Sequence, residues 1–129
     1  MKKNLLLATF GFCCLLLTGD KLFAQAEYPS ASFDENMALS ISTDAPVSAF
    51  YTIDISDMGF VSEDAADRFF KSMTDNLVRA TVDYTTQKAT LHLMLEYAPS
   101  SPSWTVTDWN NYLAGKTSKY QGAFDKFNE

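Results

Sequence analysis

The chain opens with an apolar run, and only after it do apolar and polar residues begin to alternate. Residues 5–17 are apolar, follow the basic head 1–4, and precede the small residues Ala24 and Ala26. This order is typical of a secretory signal peptide, so we predict that residues 1–26 are a signal cleaved after Ala26. The run is shorter than the roughly 20 residues that span a bilayer. We therefore expect an exported protein, periplasmic or extracellular, without stable membrane insertion after cleavage.

Four later segments alternate apolar and polar residues with a period of two, which predicts β-strands. These segments are residues 37–42, 49–55, 78–84 and 89–96. Four polar residues separate the last two segments, so we predict that they form a hairpin. Residues 27–36, which precede the first strand, are polar and small, and we interpret them as a flexible lead.

Two segments carry apolar residues at spacings of three and four, which predicts amphipathic helices. The first covers residues 63 to about 75, with Ser62 as its N-cap. The second is capped by Thr107 or Asp108 and ends at Gly115. Its apolar positions are Trp109, Tyr112 and Leu113.

The order of elements from residue 49 onward is strand, helix, strand, strand, helix. This is the split βαβ, ferredoxin-like plan. We predict an α+β sandwich in which an antiparallel sheet carries two helices on one face, within a single domain of residues 37–129. The tail 116–129 has no clean period, so helix, short strand and packed coil all stay open for it.

Cysteine content and charge restrict the chemistry of this domain. Both cysteines, Cys13 and Cys14, lie in the predicted signal, so the rest of the chain offers no disulfide, thiolate metal site or thiol nucleophile. From Glu27 onward there are 7 basic and 15 acidic side chains, a net charge of −8. Because an acidic surface repels phosphate backbones, nucleic acid is not an expected partner.

One stretch has the spacing of a known metal-carrying module. Met58, the pair Asn76-Leu77 and the turn TTQKATL at residues 85–91 match three features in order, without a gap. In these features residues 51–91 resemble the heavy-metal-associated domain, the copper and zinc carrier of metal chaperones and metal-pumping ATPases. That family has a Met-x-Cys-x-x-Cys loop, a Gly-Val pair, and a turn like Glu-Thr-Gly-Lys-Ala-Thr-Val. The resemblance implies a ferredoxin-like fold and a metal loop before the first helix.

The chain departs from that family at the metal ligands and at the last strand. Phe60 and Glu63 stand at the two cysteine positions. A phenyl ring does not coordinate metal, and a carboxylate with a thioether does not replace a dithiolate for Cu(I) or Zn(II). We therefore expect a scaffold without its metal site and without a cofactor. The family's last strand has no counterpart, and we predict that strand 37–42 takes its place, antiparallel to strand 49–55.

Other side chains offer weaker candidates for chemistry. His92, the single histidine, lies on the polar face of its strand and is expected to be solvated. Methionines are scattered without a Met-x-Met pair, which favours a packing role. A metal site built from Met58, Glu63 or His92 is the alternative to a metal-free domain.

A few apolar residues are candidates for contact with a partner. They are Phe50, Met58, Phe60 and Trp104. Alternation along strand 49–55 places Phe50 on the face opposite the core residues. Phe60 is either an exposed tip, which would be a contact site, or an inward staple on the first helix. Because the sequence has no nucleophile–base pair, we predict a non-catalytic binding domain rather than an enzyme. Its expected partner is another exported protein or a small ligand, and its oligomeric state stays open.

Overall fold

The structure is a computed structural model that describes residues 27–129. The predicted signal and both cysteines lie outside the described residues. Among the helices of the described part, none has the length and apolar character needed to cross a membrane.

Residues 27–129 form an α+β fold with a mixed five-stranded sheet and three helices. The strands are β1 (Ser30–Phe33), β2 (Leu39–Ile41), β3 (Phe50–Asp54), β4 (Val78–Asp83) and β5 (Lys88–Leu93). The helices are α1 (Glu63–Ser72), α2 (Val106–Ala114) and α3 (Thr117–Phe127), and a 3-10 turn spans Leu95–Tyr97. The architecture is compatible with a ferredoxin-like α+β fold.

The sheet has the strand order β2-β1-β3-β5-β4. The predicted hairpin is confirmed, because β4 and β5 pair antiparallel from Val78–Leu93 to Asp83–Lys88. β3 also pairs antiparallel with β5. The expectation of a wholly antiparallel sheet is wrong, because β1 runs parallel to β3.

The segment interpreted as a flexible lead contains β1, which is a correction. Ala31 is buried, and the ring of Phe33 packs against Phe69 at 5.7 Å between centroids. Two apolar residues are too few to establish a period of two in the sequence. The tertiary contacts of these two side chains therefore decide the strand.

The predicted pairing of strand 37–42 with β3 is also wrong. β2 pairs with β1, and β1 lies between β2 and β3. A tight turn sets this pairing: Asp34 Oδ1 accepts hydrogen bonds from the backbone N–H groups of Asn36 and Ala38, and Met37 adopts a φ of 66°. The turn sends the chain back along β1, so the short strand reaches the outer edge.

All three helices contribute to one core on one face of the sheet. The buried residues of the strands alternate, and they pack with Phe69 and Phe70 of α1, Trp109 and Leu113 of α2, and Tyr120 of α3. The expectation of two helices is therefore corrected to three. The tail, which had no clean apolar period, is a helix held by one buried tyrosine and two half-buried residues, Ala123 and Phe124.

The N-cap of α1 is the residue predicted from the sequence, whereas the N-cap of α2 is a different residue. Ser62 caps α1, and its Oγ accepts a hydrogen bond from the N–H of Ala65. For α2 neither predicted residue is the cap: Thr105 is the N-cap, and Asp108 completes a capping box with it. The Asp108 carboxylate reaches back to the Thr105 N–H because it stands three residues into the helix.

Candidate functional site

The face of the sheet that points away from the helices is polar except at one end. Strand register places its side chains in rows across the sheet. The rows are Arg79–His92–Phe50, then Thr81–Thr90–Thr52–Ser30, then Asp83–Lys88–Asp54. The hydroxyl row and the charged row are what a solvated sheet face normally carries. The first row is different because it includes two rings.

Three rings stack at this end and form what we call the aromatic ridge: Tyr28, Phe50 and His92. The centroids of Phe50 and His92 are 4.4 Å apart with an interplanar angle of 21°, and those of Tyr28 and Phe50 are 5.3 Å apart at 23°. Phe50 is 36% exposed and Tyr28 is 47% exposed. The ridge is therefore a stacked apolar feature in contact with solvent.

The ridge follows from strand register. Phe50 lies opposite His92 in the antiparallel pair of β3 and β5. Ser30 lies beside Thr52 in the parallel pair of β1 and β3, so Tyr28, two residues earlier, comes beside Phe50. His92 is on the open face as predicted, but it is half-buried by Phe50 rather than freely solvated. The sequence analysis missed Tyr28, and its only signal was an aromatic residue within a polar segment.

A shallow hollow lies next to the ridge. Its volume is about 200 Å³. It is lined by Phe50, Arg79, Ala80, Thr81, Thr90 and His92. The Arg79 side chain is exposed, so a cation stands beside the rings.

Met58 lies in a different place, in an acidic cavity of about 580 Å³ at the far end of β3. The carboxylates in the lining are Asp34, Glu35, Asp54, Asp57 and Asp125, all exposed. Two of them already shape turns: Asp34 accepts the N–H groups described above, and hydrogen bonds from the Ser56 N–H and hydroxyl lower the pKa of Asp54. Within residues 27–129, no group of three or more His, Cys, Asp or Glu side chains is arranged to hold a metal ion.

Phe60 folds inward. Its ring contacts those of Phe69, Phe70 and Phe124, with centroids 5.5, 5.7 and 5.2 Å apart. Of the two alternatives for Phe60, the structure shows the staple and not the exposed tip, because two helices supply rings that cover it. Glu63 is exposed in the first turn of α1.

The candidate metal ligands are not brought together. Met58 follows the end of β3, whereas His92 lies opposite Phe50 at its start. Four residues of strand, about 13 Å, separate these ends. Glu63 belongs to α1, on the helical face of the sheet.

Trp104 is half-buried in a third region, the loop before α2. Its ring packs edge-on against Trp109, 5.0 Å between centroids, and contacts Tyr112 at 5.7 Å. It also lines an apolar hollow of about 250 Å³ with residues that include Val47, Leu95 and Pro99. Its ring therefore packs the loop onto α2.

Asp75 is the most connected polar residue of the described chain, and no motif or spacing in the sequence singled it out. Its Oδ1 accepts the N–H groups of Leu77 and Val78, each at 2.8 Å, and its Oδ2 accepts the Tyr112 hydroxyl at 2.7 Å. Lys116 Nζ lies 3.6 Å from the same oxygen. Burial alone would raise its pKa, but these hydrogen bonds and the lysine outweigh it, and the pKa of Asp75 is lowered. The residue joins β4 to α2.

Comparisons with protein-family models, with curated proteins and with solved structures found no match. The resemblance of residues 51–91 to heavy-metal-associated domains therefore stays a prediction.

Proposed function

We propose that this chain is an exported, non-catalytic protein-binding domain that docks its partner on the open face of the sheet through the aromatic ridge. We also propose that its scaffold is a heavy-metal-associated-like domain that has lost its metal site. The single observation that carries the binding proposal is the exposed stack of Tyr28, Phe50 and His92.

The scaffold proposal is supported by strand adjacency. β3, β5 and β4 are neighbours in that order, with α1 between β3 and β4, as in a split βαβ unit. The position of the family's last strand, beside β3, is taken by the N-terminal strand β1 in the opposite direction. This strand differs from the predicted one in both segment and direction, because residues 37–42 were expected beside β3 and antiparallel to it.

The composition of the ridge and of the neighbouring Arg79 supports a protein partner. Tyr, Phe and Arg are enriched at protein interfaces, and Tyr and Arg are frequent among the residues that dominate binding energy. Phe50 stands at the centre of the ridge, between Tyr28 and His92. Arg79 lies two strands away from Phe50, on the other side of His92. Covering the exposed part of two rings removes apolar area that is worth about 25 cal/mol per Å².

The shape of the site favours a protein over a small ligand. The hollow beside the ridge holds about 200 Å³. Pockets that enclose drug-sized ligands usually hold roughly 300–1,000 Å³. A flat face with a raised apolar ridge suits a surface of matching size better than a molecule that must be enclosed.

The test places a photo-crosslinking amino acid at position 50 in the producing cell, with position 119 on α3 as the control. We expect a covalent adduct with one protein from position 50 and none from position 119. The adduct partner is then purified and its affinity measured with the wild-type chain, Phe50→Ala and the control Val61→Ala, which truncates another exposed apolar residue, 61% exposed. Phe50→Ala should weaken binding by about 30-fold. Absence of an adduct, or equal affinity for both variants, would refute the proposal.

The competing function, a metal carrier with a Met, His or carboxylate site, predicts stoichiometric metal binding. Because Met58, Glu63 and His92 lie apart, we expect no such uptake when the purified protein is offered Cu(I), Zn(II) and Ca(II). Native mass spectrometry and elemental analysis measure it. Uptake of one ion per chain that is lost in Met58→Leu or His92→Gln would contradict the metal-free assignment.

A further inference from the structure

The two edges of the sheet differ in whether their outward backbone groups are hydrogen-bonded to other parts of the described chain. At the β2 edge, the side-chain amide of Asn110 occupies the outward backbone groups of Ile41: Ile41 N–H donates to Asn110 Oδ1 at 2.7 Å, and Asn110 Nδ2 donates to the Ile41 carbonyl at 3.3 Å. The amide thus substitutes for a neighbouring strand. At the β4 edge, no element among residues 27–129 pairs with the outer side.

The hydrogen-bond pattern shows which backbone groups of β4 point outward. Leu93 N–H donates to Ala49 on the β3 side, and Met94 N–H donates to Leu77 on the β4 side. Because direction alternates along a strand, Arg79, Thr81 and Asp83 direct their backbone groups to β5. The backbone groups of Val78, Ala80 and Val82 point away from the sheet.

Asp75 already occupies the first of these outward positions. Its Oδ1 accepts the Val78 N–H, and its N–H donates to the Val78 carbonyl at 2.9 Å. Ala80 and Val82 keep two donors and two acceptors directed outward, and no hydrogen bond to them from residues 27–129 is formed on that side. These four groups form a short template for another strand.

The charged side chains of β4 favour a second copy of the same strand as the partner of this edge. Consider an antiparallel pair in which Thr81 lies opposite Thr81 of a second copy. Ala80 of each copy then faces Val82 of the other, so the two donors and two acceptors of each edge all form hydrogen bonds. The same register places Arg79 opposite Asp83 of the second copy, twice by symmetry. These are non-hydrogen-bonded pairs, in which side chains come closest.

Neighbouring registers lose these contacts. A shift by two residues in one direction places Val82 opposite Val78, whose groups Asp75 occupies. A shift in the other direction places Asp83 opposite Thr81 and leaves Arg79 without an acid. Parallel pairing in register brings Arg79 beside Arg79. Only the Thr81-centred register satisfies both the backbone and the charges.

We propose that two copies of this chain associate through β4, antiparallel and centred on Thr81, into one ten-stranded sheet. The two-fold axis is perpendicular to the sheet, so both aromatic ridges lie on the same side and the dimer is bivalent toward a partner. The interface uses none of the three rings of the ridge and shares only Arg79 with its surroundings, so it does not rest on the proposed function. Four backbone hydrogen bonds and two ion pairs make a small interface, and we expect dimerisation to depend on protein concentration.

The charge test uses sedimentation velocity over a concentration series of the purified full chain. Arg79→Asp alone and Asp83→Arg alone each convert two attractive pairs into two repulsive ones, which should raise the dimer dissociation constant about tenfold. The double variant R79D/D83R restores both pairs with exchanged signs, so its dissociation constant should return to the wild-type value. A monomer at every concentration, or a double variant no better than the single ones, would overturn the proposal.

A second test reports on register. Thr81→Cys places a thiol opposite itself across the axis, where the Cα atoms of a non-hydrogen-bonded pair are about 4.5 Å apart, within disulfide range. We expect a covalent dimer on mild oxidation. Thr85→Cys, an exposed control, faces Leu77 in this register and should form no covalent dimer. Equal cross-linking of the two variants would contradict the register.

Discussion

Replacement of Asp75 by Ala should lower the free energy of unfolding by about 2–4 kcal/mol, because each buried or half-buried donor left without its acceptor costs about 1–3 kcal/mol. The carboxylate is 18% exposed and serves two backbone N–H groups, one tyrosine hydroxyl and one lysine. Urea unfolding followed by circular dichroism measures the loss. A cost below about 0.5 kcal/mol, typical of an ordinary surface residue, would show that these contacts do not hold β4 to α2.

Two tyrosines provide matched controls for Asp75. Tyr112→Phe removes one of its hydrogen bonds and should cost about 1 kcal/mol. Tyr120→Phe removes a fully buried hydroxyl that has no hydrogen-bond partner among the described residues, so it should leave stability unchanged or raise it. A large loss for Tyr120→Phe would mean that this hydroxyl is satisfied in solution.

The same carboxylate makes stability depend on pH. The pKa of Asp75 is lower in the folded chain than its ordinary value, despite the opposing effect of burial. A lowered folded pKa contributes stability that is full above the unfolded pKa, about 3.9, and is lost as the pH falls through the folded pKa. Between pH 5 and pH 2 the wild type should therefore lose stability more steeply than Asp75→Asn. Parallel curves for the two proteins would contradict this assignment.

Phe69→Ala should be the most costly single core truncation among the aromatic residues, about 3–5 kcal/mol. Its ring is fully buried, and it contacts the rings of Phe33, Phe60, Phe70 and Phe124. These neighbours belong to β1, the loop after β3, α1 and α3, so one cavity would loosen four elements. Chemical denaturation measures the change in unfolding free energy.

Phe60→Ala is the control for this cluster, because the ring is only half-buried. We expect a smaller loss than for Phe69→Ala. The comparison also tests the interpretation of this position: a staple should contribute measurable stability. If Phe60→Ala leaves the unfolding free energy unchanged, the ring does not hold the loop onto α1, and its interpretation as a staple is wrong.

The elements predicted from local signals were those with long, regular patterns. Helix α1 has a capping serine and an apolar stripe, and the hairpin β4–β5 has two alternating strands of six residues. Both have their contacts close in sequence. The α+β class and the position of Phe50 and His92 on the open face followed from the same patterns.

Most of the errors concern contacts between distant parts of the chain, and the cap of α2 is the local exception. Strand β1 is too short to show a period, and its pairing depends on the turn at Asp34. Helix α3 has an irregular stripe because it packs chiefly through Tyr120 against a surface made by other elements. The cap of α2 was misplaced by two or three residues, since Thr105, Thr107 and Asp108 all have capping side chains.

The candidate surfaces also combine features predicted from local sequence with features that depend on the fold. Phe50 was identified as an outward residue from strand alternation alone, but Tyr28 joins it only because β1 runs parallel to β3. Asp75 and the strand order decide which outward groups of β4 have no hydrogen-bond partner among residues 27–129. Phe60 was left with two alternatives, and rings from α1 and α3 decided between them.

By itself the sequence determined which faces are apolar, where turns interrupt them, and which chemistry is missing from residues 27–129: the thiols needed for a dithiolate metal site. These properties depend on residue types and on spacings within a few positions. Tertiary structure alone decided the order and direction of the strands, the covering of Phe60, the aromatic ridge and the open edge at β4. Each of these depends on which distant segments bury their apolar side chains together, and that choice is made by the packing of the whole core.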